Sequence, residues 1–354
     1  MFAGNGADEE TRKATVDMIF KTPLEYEPGT NTVYSDADYM ILGLVAEKIT
    51  GKDLNTWLKE TFWEPLGLTH ITYNPLQHGF LPDDCAATEL NGNTRDHLLD
   101  FPGFRTYTLQ GEVHDEKAWY SMMGVSGHAG LFANASDLAK LASVMLSGGY
   151  GEHRFFSRNV MDQFTAPKRE STGNWGLGWW RQGDNQRVWY FGTQAASGTF
   201  GHQGWTGTLV MIDPARQLVI VYLTNKINSP VTDAEKDANR FDGNWYTAST
   251  LGFVPQILSM GMDMDMDISA QLLDLSADMA VESLKLIPED VVMTETHPSV
   301  RNAESKKELF EKMAEKSSDE EQARTLKEAV ETAFDRAAAE HEASSAPSSV
   351  SEGE

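Results

Sequence analysis

The chain has 354 residues, 40% of them hydrophobic, with nine tryptophans and sixteen phenylalanines, which is enough for a sizeable core in one large domain or two smaller ones. Its formal net charge of −24 argues against nucleic acid, whose binding needs clustered lysine and arginine, and against an anionic membrane surface. The single cysteine, Cys85, excludes an internal disulfide and any multi-cysteine metal site, and Asp83 and Asp84 beside it oppose thiolate formation.

No apolar run reaches the length of about 18 residues that a membrane span requires. Residues 1–17 lack a basic region followed by an apolar one, so the sequence taken literally predicts a cytoplasmic chain. In chain order, residues 11–21 predict a short helix, and Pro23 and Pro28-Gly29 break it off before Tyr34-Ser35-Asp36. Ser35 or Asp36 caps a predicted helix over Ala37–Thr50, closed by Gly51 in a left-handed conformation. Apolar residues fall on nearly all its sides (Tyr39, Met40, Ile41, Leu42, Leu44, Val45, Ala46, Ile49), which predicts a helix buried all round. A second helix is expected over Asp53–Trp63, ended by Pro65-Leu66-Gly67.

Residues 74–118, rich in Pro, Gly, Asn and Asp, predict a long irregular excursion, a kind of loop that usually carries function. Gly124–Ala133 is a glycine-rich turn, after which Ser136 is expected to cap a helix ended by Gly148-Gly149, and Ser157 to cap a shorter one stopping at Pro167. From Trp175 the segments GLGWWRQ, VWYFGTQ, TFGHQGWTG, TLVMID and LVIVYLTN predict strands of an antiparallel meander, with Pro214-Ala215-Arg216-Gln217 as a hairpin loop. Helices are expected again over 243–258 and 269–287. Residues 301–343 predict an acidic amphipathic helix, with Leu326, Val330 and Phe334 at four-residue spacing, and residues 344–354 are disordered by composition. The expected division is a main domain over 1–260, a connecting helical segment over 261–300, the amphipathic helix and the tail. Helices through the middle and a late antiparallel sheet predict an α+β fold.

Three motifs carry chemistry when taken together. Tyr34-Ser35-Asp36 with YMILGLVAEKITG, then SGHAGLFANASDLAKL at 126–141, then GHQGWTGTLVMIDPARQLVIVYLTN at 201–225 resemble, in order and context, the serine β-lactamase-like and penicillin-binding protein family of class C type, in particular its penicillin-binding protein 4B type. The resemblance runs from about Thr11 to about Ile257, and His114-Asp115-Glu116 fits the same branch. It implies the β-lactamase/transpeptidase-like α+β fold and acyl transfer through a serine ester on D-Ala-D-Ala peptides, small esters or β-lactams. It further implies no cofactor, no metal, and a periplasmic or membrane-anchored setting for the intact enzyme.

By that resemblance Tyr34 assists proton transfer, His202 and Gly204 line the cleft, and the Trp205 amide supplies half of an oxyanion hole. Ser35, Asp36, His114, Asp115 and His128 are further cleft candidates. For His114 and Asp115 a loop-structural role stands equally open, whereas His128 is expected first as part of the glycine turn, with a cleft position as the alternative. His70, His78 and His97 lack metal-ligand spacing, and Trp175, Trp179, Trp180 and Trp189 are expected in sheet and core.

The sequence departs from the family pattern in three places. Asp36 stands where asparagine is usual and puts a carboxylate beside the tyrosine. His202 stands where lysine is usual and, with a reference pKa near 6.5, is mostly neutral at pH 7. No serine in the chain is followed three positions later by lysine, and none of the residues before Tyr34 is serine. The family's Ser-x-x-Lys nucleophile is therefore absent from this sequence. The expectation is the carboxyl-terminal portion of a longer enzyme or, alternatively, an inactive remnant that binds ligands or partners.

Overall fold

The computed structural model describes residues 7–92, 103–167, 175–183, 187–192, 194–231, 238–239, 241–245 and 252–264, together with scattered helical positions between 311 and 339. It separates into two compact units: residues 1–188 with 195–243, and residues 189–194 with 244–354. All the motif residues above belong to the first unit. The helix expected over 269–287, the hydrophobic repeat Leu326, Val330, Phe334 and the tail lie outside the described residues.

The amino-terminal elements follow local chemistry closely. Helix α1 (Glu9–Lys21) starts where the Asp8 carboxylate accepts from the Thr11 amide at 2.8 Å. Helix α2 (Asp36–Thr50) is capped by Ser35, whose hydroxyl accepts from the Asp38 amide at 3.3 Å, and ends on Gly51 at φ 70°. Arg12 bridges α1 to Glu47 of α2 at 2.6 Å. The expectation that α2 is buried all round is not met. Met40 is fully buried, but Leu42, Val45 and Ile49 are 58%, 43% and 79% exposed. Apolar composition only makes burial favourable; among the described residues no element covers this stripe, and α2 packs through the side that carries Met40 and Gly43.

Helix α3 (Leu54–Leu58), capped by Asp53, passes into a wider π turn over Lys59–Trp63. Strand β1 (Ile71–Tyr73) pairs antiparallel with β2 (Leu131–Ala133). Trp63, Leu66, Leu68, Ile71 and Tyr73 form one core with Leu54 and Val144. Among its described residues, the excursion between β1 and helix α4 (Glu116–Met122) is irregular as expected, with short 3-10 turns at Pro75–Gln77 and Pro82–Asp84. Burial and the neighbouring Asp84 push the Cys85 thiol up, in keeping with its reading as a poor nucleophile.

Helix α5 (Ala135–Ser147) is capped by Asn134, not by Ser136: the Asn134 side chain accepts from the Asp137 amide at 2.8 Å. The helix begins two residues earlier than a Ser136 cap would set it, and the buried Asp137 carboxylate in its first turn accepts from the Thr69 and His70 amides at 2.8 and 2.7 Å. A small hairpin, β3 (Gly149–Tyr150) and β4 (His153–Arg154), follows, and then helix α6 (Arg158–Thr165) capped by Ser157.

The main sheet is the expected antiparallel meander, β5 (Trp180–Arg181), β6 (Phe200–Gln203), β7 (Leu209–Asp213) and β8 (Leu218–Tyr222), in that spatial order. Asp213 shapes the hairpin at 214–217, accepting from the Ala215 amide at 3.0 Å and from Arg216 Nη1 at 2.7 Å. Helix α5 packs on β7 and β8 around Ala142, Phe200 and Ile212. The segment VWYFGTQ is not a strand. Val188–Phe191 forms a helical turn, α7. Its aromatic residues have high strand propensity, but four residues without alternation or a pairing partner follow tertiary context instead. In the second unit, helix α8 (Phe253–Met264) is the clearest element, and Gly192 at φ 80° lies against its Gln256.

Candidate active site

Two walls meet at Tyr34 and His202, whose rings stack with centroids 6.4 Å apart and planes 28° apart. The first wall is built from the start of α2, the start of α4 and the glycine turn 124–130. Gly127 fixes the turn to α2: a Cβ there would overlap the Tyr39 carbonyl oxygen, and one on Gly43 would come 3.0 Å from the Gly127 nitrogen. Only glycine at both positions allows this backbone approach. The other side of the turn is held by the Tyr73 hydroxyl, which donates to the Ser126 carbonyl at 3.2 Å.

This joint brings five charged or polar side chains together. Asp115 caps α4, its Oδ1 accepting from the Ala118 amide at 2.8 Å and from His128 Nε2 at 2.9 Å. With Nε2 turned to the carboxylate, the His128 Nδ1 meets the Ser126 hydroxyl at 2.8 Å. Lys117, from the first turn of α4, donates to Asp36 Oδ2 at 2.5 Å.

The order hydroxyl, imidazole, carboxylate has the form of a catalytic relay. Ser126, however, is only 2% exposed, so its hydroxyl is placed to hold the imidazole and not to meet a substrate. Asp36, Asp115 and His128 also bring one carboxylate or imidazole atom each within 4.8 Å of one another. The Lys117 ammonium already lies on the Asp36 carboxylate of that set.

Tyr34 is 67% exposed, an accessible phenol beside this network. Its pKa is raised, first by partial burial and then by the Asp36 and Asp115 carboxylates, with Lys117 acting in the opposite sense. The phenol therefore keeps its proton at neutral pH. Burial alone would raise the Asp115 carboxyl, but the His128 contact, the Ala118 amide and Lys117 outweigh it and hold the group below its ordinary value. Burial opposes the charge on Lys117, yet its partners Asp36, Asp115 and Glu116 prevail and raise its pKa.

The second wall is aromatic. His202 on β6 lies against Trp180 with ring centroids 4.4 Å apart, and the Arg187 guanidinium sits 4.5 Å from the Trp180 ring and 5.4 Å from that of Trp175. His202 donates from Nδ1 to the Gln203 carbonyl at 2.6 Å, which leaves Nε2 as an acceptor in the neutral ring. Burial lowers its pKa and Arg187 adds to the effect, against the Gln203 contact. The neutral histidine expected from its reference pKa is what this environment favours.

Past His202 the chain turns sharply: the Gly204 amide donates to the Thr208 carbonyl at 2.8 Å and the Gly207 amide to the Gly204 carbonyl at 3.1 Å. A Cβ on Gly204 would overlap the Thr208 hydroxyl. Trp205 is 46% exposed and rests edge-on against Phe241.

The structure thus gathers Tyr34, Ser35, Asp36, Asp115 and His128 at one wall and His202, Gly204 and Trp205 at the other. Ser35 serves as the cap of α2. His114 does not join them; it is 7% exposed and pairs with the buried Glu89 carboxylate at 3.3 Å, inside the excursion. Of the histidines set aside, His70 contacts the Thr69 hydroxyl and His78 approaches Asn55, while His97 lies outside the described residues. Trp180 is buried as expected but also forms the bed under His202, and the side chain of Trp189 lies outside the described residues. Lys117, Ser126 and Arg187 were not singled out from sequence. A signal for Lys117 was available, since a carboxylate at Asp36 inside the motif calls for a cation.

The fold and this pair of walls define a β-lactamase/transpeptidase-like protein. A family model described as Beta-lactamase matches residues 2–244, and the chain belongs to that family. It is 50% identical over 241 residues to an Escherichia coli protein named "Putative D-alanyl-D-alanine carboxypeptidase", an alignment that covers 68% of this chain and 55% of that one. It is 49% identical over 246 residues to a Bacillus subtilis protein named N-acetylmuramyl-L-alanine amidase, covering 69% and 56%. The chain thus spans a little over half the length of these relatives. Among solved structures, a penicillin-binding protein homologue from Caulobacter crescentus aligns with a TM-score of 0.44 at 20% identity, covering 62% of each chain. Among the described residues, no helix is long and apolar enough to cross a membrane.

Proposed function

We propose that this chain forms the tyrosine wall and the His-x-Gly wall of an acyl-transfer cleft of the penicillin-binding protein and β-lactamase lineage. The ligands are D-Ala-D-Ala peptides of peptidoglycan type, small esters or β-lactams, met in the cell envelope. The observation that carries this reading is the stacking of Tyr34 on His202, which closes two distant motifs into one cleft. In it Tyr34 handles the proton, His202 and Gly204 line the ligand, and the Trp205 amide faces the developing oxyanion. The nucleophile of the reaction is a Ser-x-x-Lys pair not contained in this sequence. A second reading, ligand binding without turnover by this chain, is favoured by the engagement of both nearby serines, Ser35 as a helix cap and Ser126 with His128.

Incubation of the purified chain with a fluorescent penicillin is expected to give no covalent band. Calorimetry with a D-Ala-D-Ala-terminated peptide is expected to show binding that Tyr34→Phe and His202→Ala each weaken. Binding indifferent to both substitutions would overturn the cleft, and a covalent band would overturn the missing nucleophile.

A further inference from the structure

Asp36 places a carboxylate beside the phenol that the proposed function asks to accept a proton. The structure supplies what offsets it. We propose that Lys117 is a positioning residue for Tyr34: its ammonium cancels the Asp36 carboxylate and ties the first turn of α4 to the first turn of α2, on which Tyr34 is carried. The inference rests on the assignment of Tyr34 as the proton-handling group.

Three observations converge on it. The Lys117 Nζ to Asp36 Oδ2 distance is 2.5 Å, and the two side chains are only 33% and 24% exposed, so the pair is shielded from solvent more than an ordinary surface ion pair. Secondly, the pair closes a ring of contacts. From Asp36 it runs through Lys117 to α4, from Asp115 to His128 in the glycine turn, and from Gly127 back to the Tyr39 carbonyl of α2. Each link comes from a different segment, so the position of α2's first turn is set from two directions.

Thirdly, the charges that act on Tyr34 are few and identified. Asp36 and Asp115 oppose tyrosinate, Tyr39 adds in the same sense, and Lys117, the smallest of these influences while its charge is shared with Asp36, favours tyrosinate. Among the described residues the phenol also faces the His202 ring from β6, whose own surroundings favour its neutral form. Removing Lys117 leaves two carboxylates next to the phenol without their nearest counter-charge.

Because Tyr34 is exposed, the fraction of tyrosinate can be read chemically without any ligand. Nitration of the full chain by tetranitromethane at mildly alkaline pH, followed by peptide mass spectrometry, gives the rate at Tyr34, with Tyr150, 43% exposed, as an internal reference. Lys117→Met is expected to slow Tyr34 relative to Tyr150 by about three- to tenfold, the reach of one nearby charge in a partly exposed site. Lys117→Arg should retain most of the parent rate. The double variant Lys117→Met with Asp36→Asn, which removes both charges, should recover it.

Asp36→Asn alone should raise the rate, and it carries the test if Lys117→Met does not fold. An unchanged Tyr34 rate in folded Lys117→Met, failure of the double variant to recover, or a rate in Asp36→Asn no faster than the parent's would each overturn the inference. The peptide-binding assay above is independent of this readout. Loss of binding in Tyr34→Phe together with flat nitration ratios refutes the role of Lys117 and leaves the cleft standing; the reverse result refutes the cleft alone.

Discussion

The two walls of the proposed cleft are built by opposite means. Around Tyr34 the side chains are charged and partly solvated, and their geometry is set by hydrogen bonds between Asp115, His128, Lys117 and Asp36. Around His202 they are aromatic and buried, and the histidine is positioned by strand pairing and by ring contact with Trp180. A wall of the first kind responds to single charges; a wall of the second kind responds to packing. The phenol and the imidazole thus lie ring to ring under different controls.

Substitutions can separate these controls. The largest loss is expected from Phe200→Ala, two residues before His202 and only 2% exposed, where an emptied core site costs about 3–5 kcal/mol. Urea unfolding should show that loss, and a loss under 1 kcal/mol would mean that the sheet does not hold the second wall. Gly127→Ala should destabilise by about 1–3 kcal/mol through overlap with the Tyr39 carbonyl. It should also weaken peptide binding, since the turn carries His128; stability lost with binding intact would uncouple the joint from the cleft.

Ser35→Ala removes a helix cap and should cost about 1 kcal/mol with ligand binding otherwise unchanged. A large fall in affinity at constant stability would return Ser35 to the chemistry.

The smallest effect is expected from pH, since burial and the Gln203 contact act on His202 in opposite senses. Its folded pKa is depressed. The stability it contributes is therefore present above its unfolded value, near 6.5, and is lost as pH falls through the lower folded value. Asp115, also depressed, contributes above the ordinary carboxylate range and loses its share as pH falls through its own lower value. On acidification the aromatic wall should thus weaken before the charged one. Thermal melts of the parent and His202→Gln across that range would show it, and superimposable pH profiles would contradict it.

What the sequence revealed and what it hid divide along the same line. Caps, turns and alternation are local, so Ser35, Gly51, Ser157, the hairpin at 214–217 and the meander could be read directly. The order of the three motifs pointed to the family and to both walls. Local pattern misled where a partner decides the outcome. Helix α2 is apolar all round but buried on one side only, and VWYFGTQ has strand composition without a strand beside it. Asn134 and not Ser136 caps α5, and the Asp137 carboxylate beside that cap reaches the His70 amide 67 residues away, a contact that no local pattern signals. Lys117 and Arg187 were missed for the same reason, because their importance lies in what stands opposite them in space.

The contact of Gly127 with Tyr39 and Gly43 has a mechanical consequence. Side chains have rotamers to spare and can absorb a small movement of the chain that bears them. Main chain resting on main chain has no such slack. A displacement of the glycine turn, by a ligand touching its outer side or by a residue added beneath it, is handed undiminished to the first turn of α2, and the phenol at its tip travels with it.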